Sequence, residues 1–409
     1  MSAIARKPIL IAGAGVSSLL LAQALRRASI PFRIYERDAS ITFRAQGYRL
    51  RLSNEGLDAI EAVLGPEGFQ KFWDVCGKTG GVGFSSIHAI TGQPFNDPLT
   101  AGQSINKKPE PTGESKGPTE TLASRGGKVV GIARGEMRKQ FIDGLEPYIH
   151  WSSQVTGYES TSVGVGGEGL YSRVADQVSE GKLKVYDTGA RGIHGQAPTT
   201  AFNGLGEGVW RIVDDSKPDG RVFIITNVRS GDMDDPSIEF GWTMGAQPGV
   251  INPPNDDYTI TGTVAADIAK EITKNWAPNL QPLFAQMNTS EAAFWKITCS
   301  TPTGVPEWKN DSRVTVIGDA AHSMTPAGGI GANTAVQDSA LLGRLLAEAG
   351  GWRDGVTAEY EKGMRVYASN AHAYPQKGPK IRVGHEVNNA EGLRLLESEP
   401  SADPEEGAA

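Results

Sequence analysis

Residues 8–36 are PILIAGAGVSSLLLAQALRRASIPFRIYE. The run from Ile9 to Ala12 is short and apolar, and Gly13 and Gly15 follow it directly. Such a run suits a buried strand, and glycines permit the tight turn that leads from a strand into a helix. The sequence therefore predicts a strand, a glycine turn and a helix that begins at Val16.

Arg6 and Lys7 precede this apolar run, so a secretory signal peptide is the competing interpretation. Gly13 and Gly15 would interrupt the helix of a signal peptide, and we prefer the strand. The chain has two cysteines, too few for a disulfide framework or a multi-cysteine metal site. We therefore expect a reduced, cytoplasmic protein.

GAGVSS nearly matches the dinucleotide fingerprint G-x-G-x-x-G, with Ser18 in the position of the third glycine. Gly13 allows the turn, and Gly15 lets the backbone approach a pyrophosphate at the helix N-terminus. Glu36 ends the next strand-like run about 20 residues later, where a ribose-binding carboxylate is expected. Arg37 beside it is a further cofactor-binding candidate. The acid suits the adenosine ribose of either NAD or FAD and does not distinguish them.

A second motif occupies residues 314–338, VTVIGDAAHSMTPAGGIGANTAVQD. It predicts a strand over Val314–Ile317, a turn at Gly318 and Asp319, and a helix from about Asn333. The segment resembles the G-D-A-A-H-x-x-x-P-x-x-G-x-G-x-N element of the single-component flavoprotein monooxygenases, the p-hydroxybenzoate hydroxylase-like family. This resemblance favours FAD as the bound dinucleotide.

The resemblance implies roles for several residues of the second motif. Asp319 would bind the ribityl chain of FAD, and the backbone of Gly331, Ala332 and Asn333 would approach the flavin pyrimidine. The positive end of a helix at that place would suit the negative charge of a reduced flavin. His322 is expected to support the turn rather than to act as a catalytic base.

Two weaker segments fit the same family pattern. ARGEMRKQFIDGL resembles its R-x-x-L segment, so Arg134, just before a predicted helix, would contact the cofactor. In RAQGYRLRLS, Gly47 is a candidate for close approach of the backbone to the flavin. No catalytic residue is assigned, and Tyr48 and Arg211 are only guesses for a substrate base.

The fold class expected from the resemblance is α/β, with a Rossmann-like FAD-binding domain and an inserted, mostly antiparallel β substrate domain. The FAD-binding domain would comprise residues 1–180 and 305–385, and the substrate domain residues 181–304. Residues 386–409 would form a partly disordered tail, because its end is acidic and polar.

The middle of the chain departs from the family pattern. In GGEGLYSRV, Glu168 stands where the family has Asp, and only about 17 residues connect Trp151 to Glu168. The family places a small strand meander there, yet strands of about 5–6 residues with their turns leave no room for three. We therefore predict a deletion and an irregular segment. GVGGEG also matches G-x-G-x-x-G, but polar GYESTS precedes it, so we reject it as a Rossmann turn.

Function follows from the resemblance: an FAD-dependent monooxygenase that uses NADPH or NADH and O2 to hydroxylate a small aromatic or polyketide-like substrate. The alternatives are another FAD-dependent oxidoreductase on this scaffold, a reductase or a halogenase, or a degenerate flavin-binding relative. The formal net charge of −7 argues against nucleic acid as a partner. We expect no metal site and no membrane span, and the sequence leaves the oligomeric state open.

Overall fold

The computed structural model describes residues 7–41, 49–78, 84–94, 130–159, 161–206, 208–216, 220–228, 232–235, 237–301, 303–326, 329–377 and 394–396. Gly47, Tyr48, the polar stretch 101–128 and most of the segment 386–409 lie outside these residues. The predictions for those positions therefore stay predictions.

The described residues form fifteen strands and nine α-helices. The strands are β1 Ile9–Ala12, β2 Phe32–Tyr35, β3 Arg49–Leu52, β4 Gly77–Lys78, β5 Phe84–His88, β6 Val130–Ala133, β7 Ile149–His150, β8 Gly164–Gly166, β9 Val185–Pro198, β10 Gly208–Asp214, β11 Val222–Val228, β12 Glu239–Ala246, β13 Ala293–Ser300, β14 Val314–Val316 and β15 Arg394–Leu396. The helices are α1 Val16–Arg27, α2 Asn54–Val75, α3 Arg134–Ile142, α4 Arg173–Val178, α5 Thr263–Thr273, α6 Pro282–Ala285, α7 Asp319–His322, α8 Gly331–Glu348 and α9 Val356–Lys377.

A five-stranded parallel sheet with the order β14-β8-β1-β2-β7 carries both sequence motifs. Its central strand β1 is apolar, as expected for a strand covered on both faces. Helix α1 buries Leu21 and Leu25 completely and packs against α8, where a Cβ on Gly343 would lie 2.5 Å from that of Ala24. The strand, the glycine turn and the helix predicted from residues 8–36 are confirmed.

A seven-stranded sheet has the order β13-β9-β12-β11-β10-β5, and β15 also pairs with β9. Its pairs are antiparallel except β10 with β5. One face packs on α5 and α6 around a hydrophobic core of its own, separate from the core of the parallel sheet. The predicted fold class, a Rossmann-like unit joined to a mostly antiparallel sheet, is confirmed.

Hydrogen bonds and a small third sheet lie between these two units. The third sheet has the order β3-β6-β4 and is antiparallel. Ser300, at the end of β13, donates from both its amide and its hydroxyl to the carbonyl of Ser323, directly after α7. The antiparallel sheet is therefore fastened beside the turn that carries Asp319.

The short segment between Trp151 and Glu168 is partly as predicted. Residues 151–159 and 161–163 form no strand, so the absence of a three-stranded meander is confirmed for this described part. The expectation that glycine-rich GVG is not a strand is wrong, because Gly164–Gly166 forms β8, between β1 and β14. A Cβ on Gly164 would lie 3.0 Å from the carbonyl oxygen of Leu10, so close packing, not strand propensity, selects this glycine.

The contrast between the irregular residues 154–157 and strand β8 predicts different rates of amide hydrogen exchange in these two segments. Among the described residues, the amides of residues 154–157 donate no hydrogen bond, whereas those of Gly164 and Gly167 donate to Arg313 and Ala12. We expect the amides of residues 154–157 to exchange at least about a hundred-fold faster than those of Gly164, which begins β8, and Gly167, which directly follows it. The reason is that central strands open least often. Hydrogen exchange followed by mass spectrometry on peptides from the two stretches measures this. Equal protection would show that residues 154–157 are hydrogen-bonded in solution.

Candidate cofactor-binding site

The glycine turn between β1 and α1 is shaped by its neighbours on the sheet. Gly13 has φ +84° and a Cβ there would lie 2.7 Å from Cα of Glu168, so only glycine fits. A Cβ on Gly15 would meet nothing closer than the carbonyl oxygen of Gly167 at 3.6 Å. Ser18 is fully buried, and its hydroxyl donates to the same carbonyl at 3.5 Å. Gly13 and Ser18 therefore face the protein, whereas Gly15 has open space beside it.

Glu36 lies where an adenosine ribose would need a carboxylate. Its Oε2 accepts from the amide of Ala14 at 2.6 Å and its Oε1 from the amide of Asp38 at 3.0 Å. These two bonds fix the buried carboxylate against the glycine turn, while further acceptor positions on both oxygens remain. Arg37 is exposed on the outer side of the strand end.

Arg138 is a buried cation at this turn that the sequence analysis missed. Its Nε donates to the carbonyl of Ala14 at 3.1 Å and its Nη1 to that of Ile41 at 3.3 Å, and the residue is only 2% exposed. Met137, Phe141 and Leu145 recur at helical spacing and indicate a buried helix face, and Arg138 lies at the edge of that face, where an arginine is ordinarily exposed. Through these two hydrogen bonds Arg138 connects the glycine turn to the segment that follows Glu36.

Asp319 and Arg134 belong to different helices, α7 and α3, and interact electrostatically. Asp319 begins α7 directly after Gly318, whose φ is +63°, and its side chain is accessible to solvent. Burial nevertheless raises the pKa of the Asp319 carboxyl, and the positive charges of His322 and Arg134 act in the opposite direction. An accessible carboxylate whose pKa is raised by burial is surrounded largely by protein. The structure therefore brings Arg134, the first residue of α3, into the electrostatic range of Asp319.

The start of α8 is held by the side chain of Asn333. Its Oδ1 accepts from the amide and the hydroxyl of Ser53 at 2.8 and 3.2 Å, and its Nδ2 donates to the carbonyls of Arg51 and Gly329 at 2.9 and 3.0 Å. These bonds leave the backbone at Gly331 and Ala332 half-buried and accessible. A Cβ on Gly331 would meet only Met324 Cβ, at 4.0 Å, so open space lies beside this helix start.

His322 is turned away from the cleft and supports the turn, as expected. Its Nε2 lies 2.7 Å from Oδ2 of Asp338, and both side chains are almost completely buried. The same Oδ2 accepts from the amide of Gly318 at 2.6 Å, and Oδ1 accepts from the hydroxyl of Tyr367 at 2.5 Å. Burial alone would lower the pKa of His322, but the charge of Asp338 outweighs it and raises that pKa. Asp338 therefore links three elements beneath the Asp319 turn.

Glu168, which replaces the family's Asp, has a structural partner. Its Oε1 accepts from the amide of Val174 at 3.0 Å, in the first turn of α4, whose N-cap is Ser172. Burial raises the pKa of the Glu168 carboxyl, although hydrogen bonds oppose this effect. The longer side chain is used to reach the start of α4.

The helix starts, the glycines and the carboxylates of this site fit the phosphate and hydroxyl groups of FAD. The helix starts of α1 and α8 carry no side-chain cap, and each has open space beside a glycine, Gly15 and Gly331. An uncapped helix N-terminus presents backbone amides and positive dipole to an anion or a carbonyl. Glu36 and Asp319 supply acceptors for sugar and ribityl hydroxyls. These features match a dinucleotide with a flavin ring at one end.

Comparisons with known proteins agree with this geometry. The family described as FAD binding domain matches residues 163–362. The dual O-methyltransferase/FAD-dependent monooxygenase CTB3 of Cercospora beticola is 26% identical over 92% of this chain and 46% of its own length. Aurachin C monooxygenase/isomerase of Stigmatella aurantiaca is 26% identical over 83% of this chain and 80% of its own length.

The chain is therefore similar to FAD-dependent monooxygenases over most of its length. Solved structures of such enzymes share the fold. Klebsiella pneumoniae HpxO complexed with FAD and uric acid has a TM-score of 0.63 at 17% identity, covering 93% of this chain and 92% of its own. The 2,6-dihydroxypyridine-3-hydroxylase of Arthrobacter nicotinovorans has a TM-score of 0.65 at 14% identity, covering 97% and 99%. The chain spans about half the length of CTB3, the curated relative named above.

The part of the chain that the structure describes contains neither a candidate metal site nor a candidate membrane-spanning helix. No group of three or more His, Cys, Asp or Glu side chains there could hold a metal ion. No helix there is long and apolar enough to cross a membrane.

Substitution of Asp319 tests its predicted role in FAD binding. We expect Asp319→Ala to weaken FAD binding about ten- to hundred-fold, because hydrogen bonds to a charged acceptor contribute about 1.5–3 kcal/mol. Titration of the apoprotein with FAD, followed by flavin fluorescence, measures the affinity. Asp354→Ala removes an exposed carboxylate far along the chain and serves as the control. Unchanged affinity in Asp319→Ala would refute the assignment.

Proposed function

We propose that this chain is an FAD-dependent monooxygenase that uses NADPH or NADH and O2 to hydroxylate a small aromatic or polyketide-like substrate. The observation that carries the proposal is the accessible carboxylate of Asp319, whose pKa is raised by burial, together with the two uncapped helix starts of α1 and α8. The similarity to FAD-dependent monooxygenases supports it. The cytoplasmic location and the division at residues 180 and 305 remain our proposals.

FAD would supply the electron transfer and the activation of oxygen. The chain's own residues would position the cofactor. The first turn of α1 would hold the pyrophosphate, Glu36 would accept from the adenosine ribose, and Asp319 would accept from the ribityl hydroxyls. The N-terminus of α8 would stabilise negative charge on the pyrimidine side of the ring.

Two features support a small-molecule substrate. Uric acid is bound in the HpxO structure, and CTB3 is named as an O-methyltransferase as well as a monooxygenase. The seven-stranded sheet, which carries Arg211 on β10, is hydrogen-bonded through Ser300 to Ser323, directly after α7. His322 is engaged by Asp338 and cannot readily serve a substrate as a base.

The proposal is tested on the purified protein. We expect flavin absorption bands, NADPH or NADH oxidation stimulated by phenolic compounds, and equivalent consumption of O2. NADPH oxidation without O2 consumption would indicate a reductase. Bound flavin with no stimulated oxidation would indicate a degenerate relative, and absence of flavin even after addition of FAD would refute the cofactor assignment.

A further inference from the structure

The seven-stranded sheet has one apolar and one polar face. Side chains alternate between the faces of a strand, and paired residues share a face. Ile212, Ile224, Met244 and Ile193 form one row across four strands, and all are fully buried against α5 and α6. The opposite side is therefore turned away from this core.

We name that opposite side the polar sheet face and define it by Arg211, Ile225, Asn227, Thr243 and His194. The register aligns four of them in one row, from Arg211 through Ile225 and Thr243 to His194. These four are half-buried, unlike the fully buried row behind them. The half-buried side chains show that this face is not packed as a second closed core, and β13 of the same sheet is hydrogen-bonded beside the Asp319 turn.

Asn227 differs from its neighbours because its amide is buried without a partner. The residue is 5% exposed, and within the described chain neither Nδ2 nor Oδ1 has a hydrogen-bond partner. Leaving such groups unpaired is costly, so native proteins retain few of them. The preceding Thr226 points to the other face, and its hydroxyl donates to the carbonyl of Gly241 at 2.8 Å. The unpaired amide is thus confined to the polar sheet face.

His194 and Arg211 determine the charge of the polar sheet face. Burial lowers the pKa of His194 to about 3, so its ring is neutral at pH 7, and its Nδ1 lies 3.2 Å from the Thr243 hydroxyl. Arg211 is the cation of the face, and its guanidinium lies 5.6 Å from the centre of the Phe223 ring. Near Asn227 the face therefore offers the aliphatic side chain of Ile225, neutral hydrogen-bonding groups at Thr243 and His194, and the positive charge of Arg211.

We propose that Asn227 determines substrate specificity by hydrogen-bonding the ring that is to be hydroxylated. A carboxamide presents one donor and one acceptor side by side. Its complement is an aromatic ring that carries an acceptor and a donor on neighbouring atoms, as in a ring amide. This inference rests on the proposed monooxygenase function and names the substrate class of that site.

The test uses the FAD-loaded protein and two matched probes, 2-quinolone and 1-methyl-2-quinolone, the second of which lacks the ring donor. Binding is followed through changes in flavin absorbance. We expect the wild type to bind 2-quinolone at least about ten-fold more tightly than its methyl derivative. Asn227→Leu should abolish this preference, whereas a steric effect of the methyl group would persist in the variant. Absence of a preference in the wild type, or its persistence in Asn227→Leu, would overturn the proposal.

Thermal unfolding provides an independent readout. Asn227→Leu removes an unpaired buried amide, so its melting temperature should equal or exceed that of the wild type. The control Thr226→Val loses a bonded hydroxyl on the opposite face, so it should melt lower and keep the ligand preference. If Asn227→Leu melted at a temperature as low as that of Thr226→Val, Asn227 would have a structural role and the proposal would be refuted. Flavin content and stimulated NADPH oxidation of the same wild-type sample report separately on the monooxygenase function.

Discussion

Asp338→Ala is expected to lower the free energy of unfolding by about 3–5 kcal/mol, because it leaves His322 buried without its anionic partner. The substitution also removes the acceptor for the Gly318 amide and for the Tyr367 hydroxyl. Since Gly318 directly precedes Asp319, the turn that carries the ribityl ligand should loosen. We therefore expect both a less stable protein and weaker FAD binding. Urea unfolding and FAD titration measure the two effects.

Two further variants define what Asp338 contributes. Tyr367→Phe removes only one donor and should cost about 1 kcal/mol. The raised pKa of His322 means that the His322–Asp338 pair stabilises the fold fully below the unfolded value of 6.5 and loses this contribution as pH rises through the folded pKa. Asp338→Asn should flatten this pH dependence of stability. An unchanged slope, or a stability of Asp338→Ala within about 0.5 kcal/mol of the wild type, would contradict the assignment.

Gly13→Ala is expected to destabilise the protein by about 2–5 kcal/mol. The left-handed backbone at Gly13, φ +84°, costs a side chain about 1–2 kcal/mol, and overpacking adds about 1–3 kcal/mol. The added methyl would lie 2.7 Å from Cα of Glu168 and 2.8 Å from the carbonyl oxygen of Gly167. Because both are backbone atoms of the neighbouring strand end, they cannot rotate away as a side chain could.

Gly15→Ala is the matched comparison, two residues further along the same turn. Its backbone is extended, and a methyl there meets nothing closer than 3.6 Å, so stability should change little. If a pyrophosphate occupies the open side, however, FAD affinity should fall. Thermal unfolding of the apoproteins separates the effect on the fold from the effect on the cofactor. Equal loss of stability in both variants would show that the open space beside Gly15 does not exist in solution.

The sequence predicted the elements whose signals are local. Gly13, Gly15 and Glu36 follow one another within a single strand–turn–helix–strand unit, so spacing alone indicated their arrangement. Asp319 and the start of α8 lie within one continuous motif. Met137, Phe141 and Leu145 recur at helical spacing in ARGEMRKQFIDGL, and all three are fully buried in the structure. In each case the relevant neighbours lie one or two turns away along the chain.

Side-chain roles that depend on partners far along the chain were not predicted, even where the residue itself was named. Arg138 contacts Ala14 across 124 positions, and Asn333 holds Ser53 across 280. The strand β8 was missed because glycine has a low strand propensity, while its place between β1 and β14 is set by crowding from Leu10, Val174 and Val316.

The sequence by itself determined the dinucleotide-binding unit, the resemblance to flavin monooxygenases and the acidic residues that would hold FAD. Only the tertiary structure decided that Arg134 acts electrostatically on Asp319, that Asp338 fixes the Asp319 turn and that the amide of Asn227 is buried without a partner. The physical reason is that periodicity and turn chemistry act over a few residues. Burial, pKa and hydrogen-bond satisfaction instead depend on which distant strands and helices meet in space.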